Sequence, residues 1–468
     1  MSKIISVNAG SSSLKFQLFE MDDETVITSG VIERIGLEDS IFTIKYNGEK
    51  DVTTLPIENH KVAVQLLLDT LIKKEIVKDL DEIKGVGHRV VQGGAYFDQS
   101  VIIDEDVVSK IDELKSLAPL HNPAHLTGYY AFKEAIPNAG AVAVFDTAFH
   151  QTLEPKSYIY PIPYKYYVEN KVRKYGAHGT SHFYVSSRCR EMMGNPEHSR
   201  IIVAHLGAGG SLTAVKDGKS INTSMGFTPL AGIMMGTRSG DVDPSVIDYL
   251  IEEVGLDMKE VIKMLNKESG LLGVSGVSSD FRDVQEAAAN GNERAQLALD
   301  IFFRRVIAYI GRYFIALGGV DAICFTAGIG ENSFFARKEI CNLLAEALGI
   351  EIDDDANVNG KGGYIAEIFT FGIFFRRNFG GYLVCGFFYG SRVDIRQTEF
   401  GQDGMHLGGI VSGFSQDVDN LTDGILGLVG PFYYLDDGFI SRLPAFQLLF
   451  GNEDVIGQRA VFRNKEGV

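Results

Sequence analysis

The chain has 468 residues, more than one hydrophobic core of ordinary size accommodates, so two domains are expected. Hydrophobic residues make up 45% and charged residues 22%, which is an ordinary globular balance, while the formal net charge is −17. Because nucleic acids and anionic membranes are recognised through basic surface, this charge argues against both as partners. Four cysteines without paired spacing, and no apparent signal peptide or uninterrupted apolar span, favour a reducing cytoplasm.

The first 150 residues predict an α/β domain. Residues 3–7 are rich in strand formers, residues 8–13 have turn chemistry, and residues 14–19 alternate in hydrophobicity, which indicates strand, tight turn and strand. Helical spacing follows at 60–78, 104–117 and 123–135, and further strands are predicted at 85–91 and 141–145. Strands and helices mixed in this way are typical of an α/β fold.

The segment 8–15 has the sequence Asn-Ala-Gly-Ser-Ser-Ser-Leu-Lys. Small residues let backbone N–H groups approach phosphate oxygens, and Lys15 would add a positive charge for a phosphate. A plain hairpin turn with a solvated lysine explains the spacing about as well, and a Walker A sequence is absent. Two interpretations of the segment are therefore open: a phosphate-binding loop or a simple turn.

Two polar residues stand at the ends of predicted strands in this half. Arg89 precedes Gly93 and Gly94, where a guanidinium can bind a carboxylate or phosphate through two parallel hydrogen bonds. A surface salt bridge is the usual alternative for an arginine. Asp146 directly follows the strand 141–145, a position typical of functional carboxylates in α/β folds, although a helix N-cap would also explain it.

The second half of the chain begins with a similar pattern. Residues 201–207, IIVAHLG, resemble residues 4–10, IISVNAG, and both continue through small residues into an apolar strand, which indicates an internal duplication. Residues 205–211 are thus a second candidate phosphate loop, although many glycine-rich turns only close a hairpin. Just before them lie His178 and His182, which would need further ligands to bind a metal. A hydrogen-bond donor to charge developing on phosphorus is the preferred interpretation of this pair.

Residues 224–244 are dense in glycine and small polar residues around Arg238, which could neutralise a transferring phosphoryl group. Long helical patterns follow at 292–317 and 336–348, and residues 322–332 between them predict a strand, a glycine turn and a helix start. The composition then changes: the last 104 residues hold one lysine and 14 of the 30 phenylalanines. No regular structure is predicted for residues 364–437.

Together these segments resemble the acetate kinase family. VNAGSSSLKF and MGFTPLAGIMMGTRSGDVDP are similar to its two most recognisable signatures, and GHRVVQGG, APLHNPAHL, VAVFDTAFHQT, YGAHGTSHFYV and FTAGIGEN occur in the family's order. The likeness covers about residues 1–360. It implies a duplicated actin-like, ribonuclease H-like ATPase fold with two lobes around a nucleotide cleft, usually in a homodimer. It also implies reversible transfer of the ATP γ-phosphoryl group to acetate with Mg²⁺ or Mn²⁺, giving acetyl phosphate and ADP.

The resemblance implies roles for individual residues. Asn8 would lie at the metal and Lys15 at an ATP phosphate, Arg89 would bind the substrate, and His178 and Arg238 would stabilise the transition state. A small apolar pocket for the methyl group would be formed by Val91, Leu120 and Pro229. The nucleotide would be lined by His205, Leu206, Gly207, Ala208, Gly209, Asp280, Phe281, Arg282, Ala327, Gly328, Ile329, Gly330 and Glu331.

Asp146 occupies the position of the family's catalytic carboxylate. A carboxylate substrate has a pKa of roughly 4 and is already ionised near pH 7, so no base is needed to remove a proton. Catalysis then depends on alignment and charge neutralisation. We therefore expect Asp146 to organise magnesium, water or an arginine and not to carry a proton.

The chain departs from the family pattern in two places. Ala208 stands where the family usually has asparagine, which would remove one side-chain contact to phosphate. The family also ends sooner, with a helix that returns to the first domain. Two explanations are open: residues 364–437 are an insertion, residues 438–468 return to the N-terminal lobe and Glu453 is the glutamate at the metal, or all sequence after 364 is foreign, as a shifted reading frame would produce. The insertion is preferred.

The predicted organisation is an N-terminal acyl-kinase lobe at 1–150 and a nucleotide-binding lobe at 151–363, followed by the segments 364–437 and 438–468. Two other functions stay open from the sequence. A propionate or butyrate kinase would differ from an acetate kinase only in pocket volume. A nucleotide-binding homologue without turnover would follow from Ala208 and the altered terminus.

Overall fold

The computed structural model describes residues 2–119, 121–359, 363–368 and 381–385. These residues form two compact units, each with a hydrophobic core of its own. The first unit comprises residues 2–87 and 130–140, and the second comprises residues 88–119, 121–129, 141–359, 363–368 and 381–385. These units are defined by packing, whereas the lobes predicted at 1–150 and 151–363 are defined by function, and those lobes stay a prediction.

The strands are β1 Lys3–Ala9, β2 Ser13–Glu20, β3 Val26–Glu33, β4 Ser40–Tyr46, β5 Glu49–Leu55, β6 Ile83–Val90, β7 Val101–Ile102, β8 Gly140–Phe145, β9 Arg200–Leu206, β10 Gly210–Lys216, β11 Lys219–Thr223, β12 Ala322–Thr326, β13 Ile350–Ile352, β14 Gly363–Ile368 and β15 Gly381–Cys385. The helices are α1 His60–Lys73, α2 Glu105–Glu113, α3 Asn122–Ala135, α4 Pro155–Tyr158, α5 Lys165–Asn170, α6 Gly179–Met192, α7 Pro244–Glu252, α8 Met258–Lys267, α9 Gly270–Ser275, α10 Phe281–Ala289, α11 Glu293–Leu317, α12 Ala327–Asn332, α13 Phe334–Leu348 and α14 Asp354–Asn359. Short 3₁₀ helices lie at Leu80–Glu82, Leu114–Ser116 and Ala148–Thr152.

The first unit begins with the antiparallel meander β1 to β5. Every residue of β1 is buried, whereas β5 is mostly charged or polar and exposed, as suits a strand at the edge of a sheet. Helix α1 is capped by the Asn59 side chain and buries an apolar stripe at helical spacing against this core. It is shorter than predicted, since Lys73 ends the helix and Glu75 turns into the left-handed region at φ 54°.

The second unit contains a seven-stranded sheet with the order β11-β10-β9-β12-β15-β14-β13. Strand β12 runs parallel to β9, and the long helix α11 packs its apolar side into the core beside them. The predicted helix at 292–317 is confirmed, and the strand predicted at the start of 322–332 is β12. The expectation of no regular structure after 364 is wrong for β14 and β15, because both strands pair within this sheet.

The two predicted strand–turn–strand segments have matching geometry. In the first unit β1 pairs antiparallel with β2, and in the second β9 pairs antiparallel with β10. Each hairpin is closed by three residues, 10–12 in one case and 207–209 in the other. The structure thus confirms the repeated hairpin that the sequence predicts.

Candidate functional site

Arg89 and Asp146 form a buried ion pair in the second unit. Arg89 lies near the end of β6 and Asp146 directly after β8, and the Asp146 backbone N–H donates to the Val90 carbonyl oxygen at 3.0 Å. The guanidinium donates from Nε to Oδ1 at 3.1 Å and from Nη2 to Oδ2 at 2.6 Å. Both side chains are almost fully buried. The pair is therefore neither a surface salt bridge nor a helix cap.

Helix α6 begins directly against Asp146. The Gly179 N–H donates to the Asp146 carbonyl oxygen at 2.8 Å, and a Cβ at residue 179 would lie only 2.2 Å from that oxygen. Glycine is required here because of this close backbone approach. His178 precedes the helix in the left-handed region, at φ 57°, and is thereby held next to the ion pair.

His178 is buried and neutral. Its Nδ1 lies 2.8 Å from the Ser211 hydroxyl, and its ring stacks on His205 with centroids 4.2 Å apart. Burial lowers the pKa of His178 well below its ordinary value, and the charges of nearby groups, including Arg89 and Arg238, lower it further. The structure thus brings together the two arginines and the histidine that the sequence singles out.

Arg238 lies in a loop that contacts the second hairpin turn. Its Nη1 donates to the Pro229 carbonyl oxygen at 3.0 Å, and a Cβ on Gly209 would lie 3.2 Å from Nη2. The Gly236 N–H also donates to the carbonyl oxygen of Ala208 at 3.0 Å. The half-buried guanidinium is therefore fixed beside the candidate phosphate loop at 207–209.

The hairpin turn at 207–209 exposes one side chain. Ala208 is exposed, while Gly207 and Gly209 are buried, so the turn presents mainly its backbone. His205 lies at the end of β9 with Nδ1 at 2.8 Å from the Ser181 hydroxyl. Leu206 belongs to the hydrophobic core, and its side chain does not face the turn surface.

The second nucleotide segment stands at the start of α10. The Asp280 carboxylate accepts from the Arg282 backbone N–H and from its guanidinium, which lowers the pKa of Asp280. The Arg282 side chain is exposed, whereas Phe281 packs in the core against Phe302 and Phe303. The exposed face of this segment is thus formed by Asp280 and Arg282, with Phe281 as an anchor.

The third nucleotide segment is the short helix α12. Ala327 adopts a left-handed conformation, at φ 67°, and Gly328 has open space around it. Glu331 is half-buried, its partial burial raises the pKa of the carboxyl group, and the carboxylate accepts from the Ala327 N–H at 3.2 Å. Buried Arg337 donates to the carbonyl oxygens of Gly330 and Glu331, so the helix end is held by a charged side chain. Ile329 packs against the core.

The remaining predicted residues lie elsewhere. Asn8 and Lys15 are in the first unit, directly opposite each other in the β1–β2 hairpin, with Asn8 buried and Lys15 half-buried. Val91 is buried and Pro229 half-buried in the second unit. Leu120 and Glu453 lie outside the described residues, as do most of 364–437 and all of 438–468.

Sequence reasoning missed the hydroxyl groups that hold the histidines. Ser211 Oγ lies between His178 Nδ1 and His182 Nε2, at 2.8 and 2.7 Å. Ser220 Oγ contacts His150 Nδ1 at 2.9 Å in the same unit. A local signal existed only for Ser211, which ends the motif HLGAGGS, since the other contacts join distant segments.

Two kinds of feature are absent from the described part of the chain. Within those ranges no three histidine, cysteine, aspartate or glutamate side chains are grouped as a metal site would require. No helix there is both long and apolar enough to cross a bilayer.

The chain is similar to known proteins over most of its length. The family model described as "Acetokinase family" matches residues 3–369. A relative named acetate kinase from Geobacillus kaustophilus is 56% identical over 368 residues, which is 78% of this chain and 93% of that protein. The crystal structure of Porphyromonas gingivalis acetate kinase is 42% identical with a TM-score of 0.76, over 82% of this chain and 96% of that one. A propionate kinase from Francisella tularensis is 41% identical with the same TM-score and coverage.

Proposed function

Because the chain belongs to the acetokinase family, we propose that it transfers the γ-phosphoryl group of ATP to acetate, giving acetyl phosphate and ADP. The observation that carries this function is the group formed by the buried Arg89–Asp146 pair, neutral His178 and Arg238. Both the acceptor and the transferring group are anions, so the reaction needs positive charge and donors in fixed positions. This group supplies them.

Arg89 binds the carboxylate of the acceptor in this proposal. The two hydrogen bonds that Arg89 donates to Asp146 fix the plane of the guanidinium, which matters because a planar fork recognises a carboxylate only in a defined orientation. Asp146 therefore acts as an organiser of the arginine. Asp146 does not need to act as a proton carrier, because acetate is already ionised at neutral pH and has no carboxyl proton to remove.

Arg238 and His178 stabilise the charge on the transferring phosphoryl group in the transition state. Arg238 provides a full positive charge beside the loop at 207–209, and His178 provides a neutral donor. Phosphoryl transfer depends almost entirely on such positioning and charge neutralisation. The nucleotide would extend over the segments at 205–209, 280–282 and 327–331, with Lys15 at a phosphate.

Magnesium would be held mainly by the ATP phosphates, with the amide oxygen of Asn8 near it. Mg²⁺ commonly keeps several waters and takes only one or two protein oxygens together with phosphates. The oxygen donor of Asn8, opposite Lys15 in the hairpin, fits this pattern. The ion would neutralise phosphate charge during transfer.

The size of the acyl pocket decides between acetate and a longer acid. Val91, Pro229 and Leu120 would line it, and the similar likeness to an acetate kinase and a propionate kinase structure favours neither acid. We propose acetate because relatives that are 56% and 55% identical to this chain carry the name acetate kinase. A homodimer in the cytoplasm is the assembly and location that we propose with it.

Because of Ala208, a second function stays open: the chain would bind nucleotide without catalysing the transfer. The backbone of the turn is held in place, since the Ala208 carbonyl oxygen accepts from the Gly236 N–H. Backbone N–H groups are the usual donors to phosphate at such turns, so the loss of one side-chain contact should weaken catalysis without abolishing it.

The deciding experiment is a hydroxamate assay for acyl phosphate with the full chain, ATP and magnesium. Acetate, propionate and butyrate are compared at equal concentrations. We expect a hydroxamate signal that depends on both ATP and magnesium and is largest with acetate. Tight ATP binding without any acyl hydroxamate from the three acids would overturn the proposal in favour of the second function.

A further inference from the structure

A serine hydroxyl lies between two histidines of one helix in the second unit. Ser211, on β10, places Oγ 2.8 Å from His178 Nδ1 and 2.7 Å from His182 Nε2. The two histidines are four residues apart, one at the N-cap of α6 and one in its first turn, so both rings reach the same side of the helix. All three side chains are buried.

The protons in this chain of contacts can be counted. A serine hydroxyl has one proton to donate and can accept two hydrogen bonds, whereas a neutral imidazole has one donor and one acceptor nitrogen. Among the described residues Ser211 Oγ contacts only these two rings. Its proton therefore points to one of the two, and the other ring donates to it.

The second ring nitrogen of His182, Nδ1, decides in which direction the hydrogen bonds through Ser211 run. His182 Nδ1 is buried and has no hydrogen-bond partner among the described residues. A proton on Nδ1 would leave a buried N–H donor unsatisfied, which native proteins rarely tolerate. The proton of His182 is therefore on Nε2 and is donated to Ser211, and Ser211 in turn donates to His178 Nδ1.

A neighbouring pair follows the same chemistry. His150 Nε2 lies 3.0 Å from the Ala177 carbonyl oxygen, which can only accept, so that nitrogen carries the proton. Nδ1 of His150 then accepts from the Ser220 hydroxyl at 2.9 Å. This serine–histidine pair is buried as well, and it has no place in the proposed mechanism.

We propose that Ser211 and His182 are positioning residues that hold His178 as the Nε2–H tautomer, so that its Nε2–H points a donor at the transferring phosphoryl group. The role of the donor rests on the proposed function, while the tautomer rests on the contacts alone. In the opposite tautomer Nε2 would present a lone pair to an anionic group, which is repulsive. Burial of the ring keeps it neutral, so the tautomer decides what it offers.

The tautomer can be measured without any variant. The full chain is labelled with ¹⁵N-histidine, and two-bond ¹H–¹⁵N correlation spectra are recorded at pH 7, with His178→Gln used to assign one of the ten histidines. We expect His178 to show a protonated Nε2 and an unprotonated Nδ1. A protonated Nδ1 in the wild-type chain would overturn the proposal, whatever the enzyme's activity.

Kinetics then test the consequence. Ser211→Ala should lower kcat about tenfold or more, because a group that fixes an imidazole tautomer is lost, while KM for acetate and ATP should change little. Ser211→Thr, which keeps a hydroxyl, should restore much of the rate and the wild-type His178 spectrum. Ser220→Ala, which removes a comparable hydroxyl from His150, should leave kcat and the His178 spectrum unchanged.

The outcomes separate this inference from the proposed function. If Ser211→Ala keeps both kcat and the Nε2–H pattern, the positioning role is wrong. If the wild-type chain forms no acyl phosphate, the proposed function fails, and the spectra alone then confirm or overturn the tautomer.

Discussion

At the scale of single residues, Asp146 shows how burial and partners decide what a carboxylate does. An aspartate after a strand is compatible with an N-cap, a general base or a metal ligand. In this protein both carboxylate oxygens accept from Arg89 inside the second unit. The side chain thereby sets the orientation of a guanidinium, which is the function that we propose for it.

We predict that Arg89→Ala raises KM for acetate by at least about tenfold, since a charged hydrogen bond to the substrate is lost. The apparent affinity for ATP should change much less. Arg34→Ala is the matched control, because Arg34 forms an exposed pair with Asp39 and such pairs contribute little. An acetate KM that stays at the wild-type value would rule out Arg89 as the substrate-binding group.

For Arg238 we expect a different kinetic signature. Removal of an arginine that acts in the transition state typically costs on the order of 10³-fold in turnover. Arg238→Ala should therefore lower kcat far more than it changes KM for either substrate. Steady-state rates with acetate and ATP varied in turn will measure both. A loss confined to KM would show that Arg238 only binds a substrate.

At the scale of elements, strand β15 joins parts of the sheet in the second unit. It pairs parallel with β12 and antiparallel with β14, so it lies inside the sheet and not at an edge. If residues 364–437 were an insertion, removal of about residues 366–436 would be expected to preserve folding. Because that deletion would remove β15 and part of β14, the structure argues against it.

Two deletions test the role of this strand. Removal of residues 366–436 should lower the thermal midpoint strongly or abolish cooperative unfolding, because buried backbone groups of β12 would lose their partners. Removal of residues 386–436 leaves β14 and β15 in place and should be tolerated better. Circular dichroism melts of the two variants provide the comparison, and equal midpoints would contradict a structural role for β15.

At the scale of the whole molecule, several buried histidines make stability depend on pH. Burial lowers the pKa of His88 to about 3 and of His150 to about 4, and those of His178 and His182 also lie well below the ordinary value. These rings stay neutral in the folded chain, whereas in the unfolded chain they titrate near a pKa of roughly 6.5. Below that pH the unfolded chain binds more protons than the folded one.

The free energy of unfolding should therefore fall as the pH decreases from about 6.5 towards 4. Each such histidine contributes about 1.4 kcal/mol per pH unit until its folded pKa is reached. Urea unfolding at pH 7, 6 and 5 will measure the slope. His198→Gln should leave it unchanged, since that histidine is largely exposed. A stability that does not change between pH 7 and 5 would contradict the buried neutral state.

Much of the architecture followed from local sequence. The strand–turn–strand segments that begin at residues 3 and 201, helix α11 and the strand before α12 were predicted from local sequence. Hydrophobic periodicity and small turn residues act over a few neighbours. The family signatures were equally local, and the match over residues 3–369 confirmed them. These features need no knowledge of which distant segments meet.

Only the tertiary structure decided which groups act together. Arg89 and Asp146 are 57 residues apart, and Ser211 is 33 residues from His178, so their contacts exist only once the elements are packed. The same packing places Phe281 in the core while Asp280 stays at the surface. It also pairs β15 with β12, although the segment that contains β15 has no clear hydrophobic period. Burial and long-range pairing depend on how strands are ordered in a sheet, and that order is a property of the whole fold.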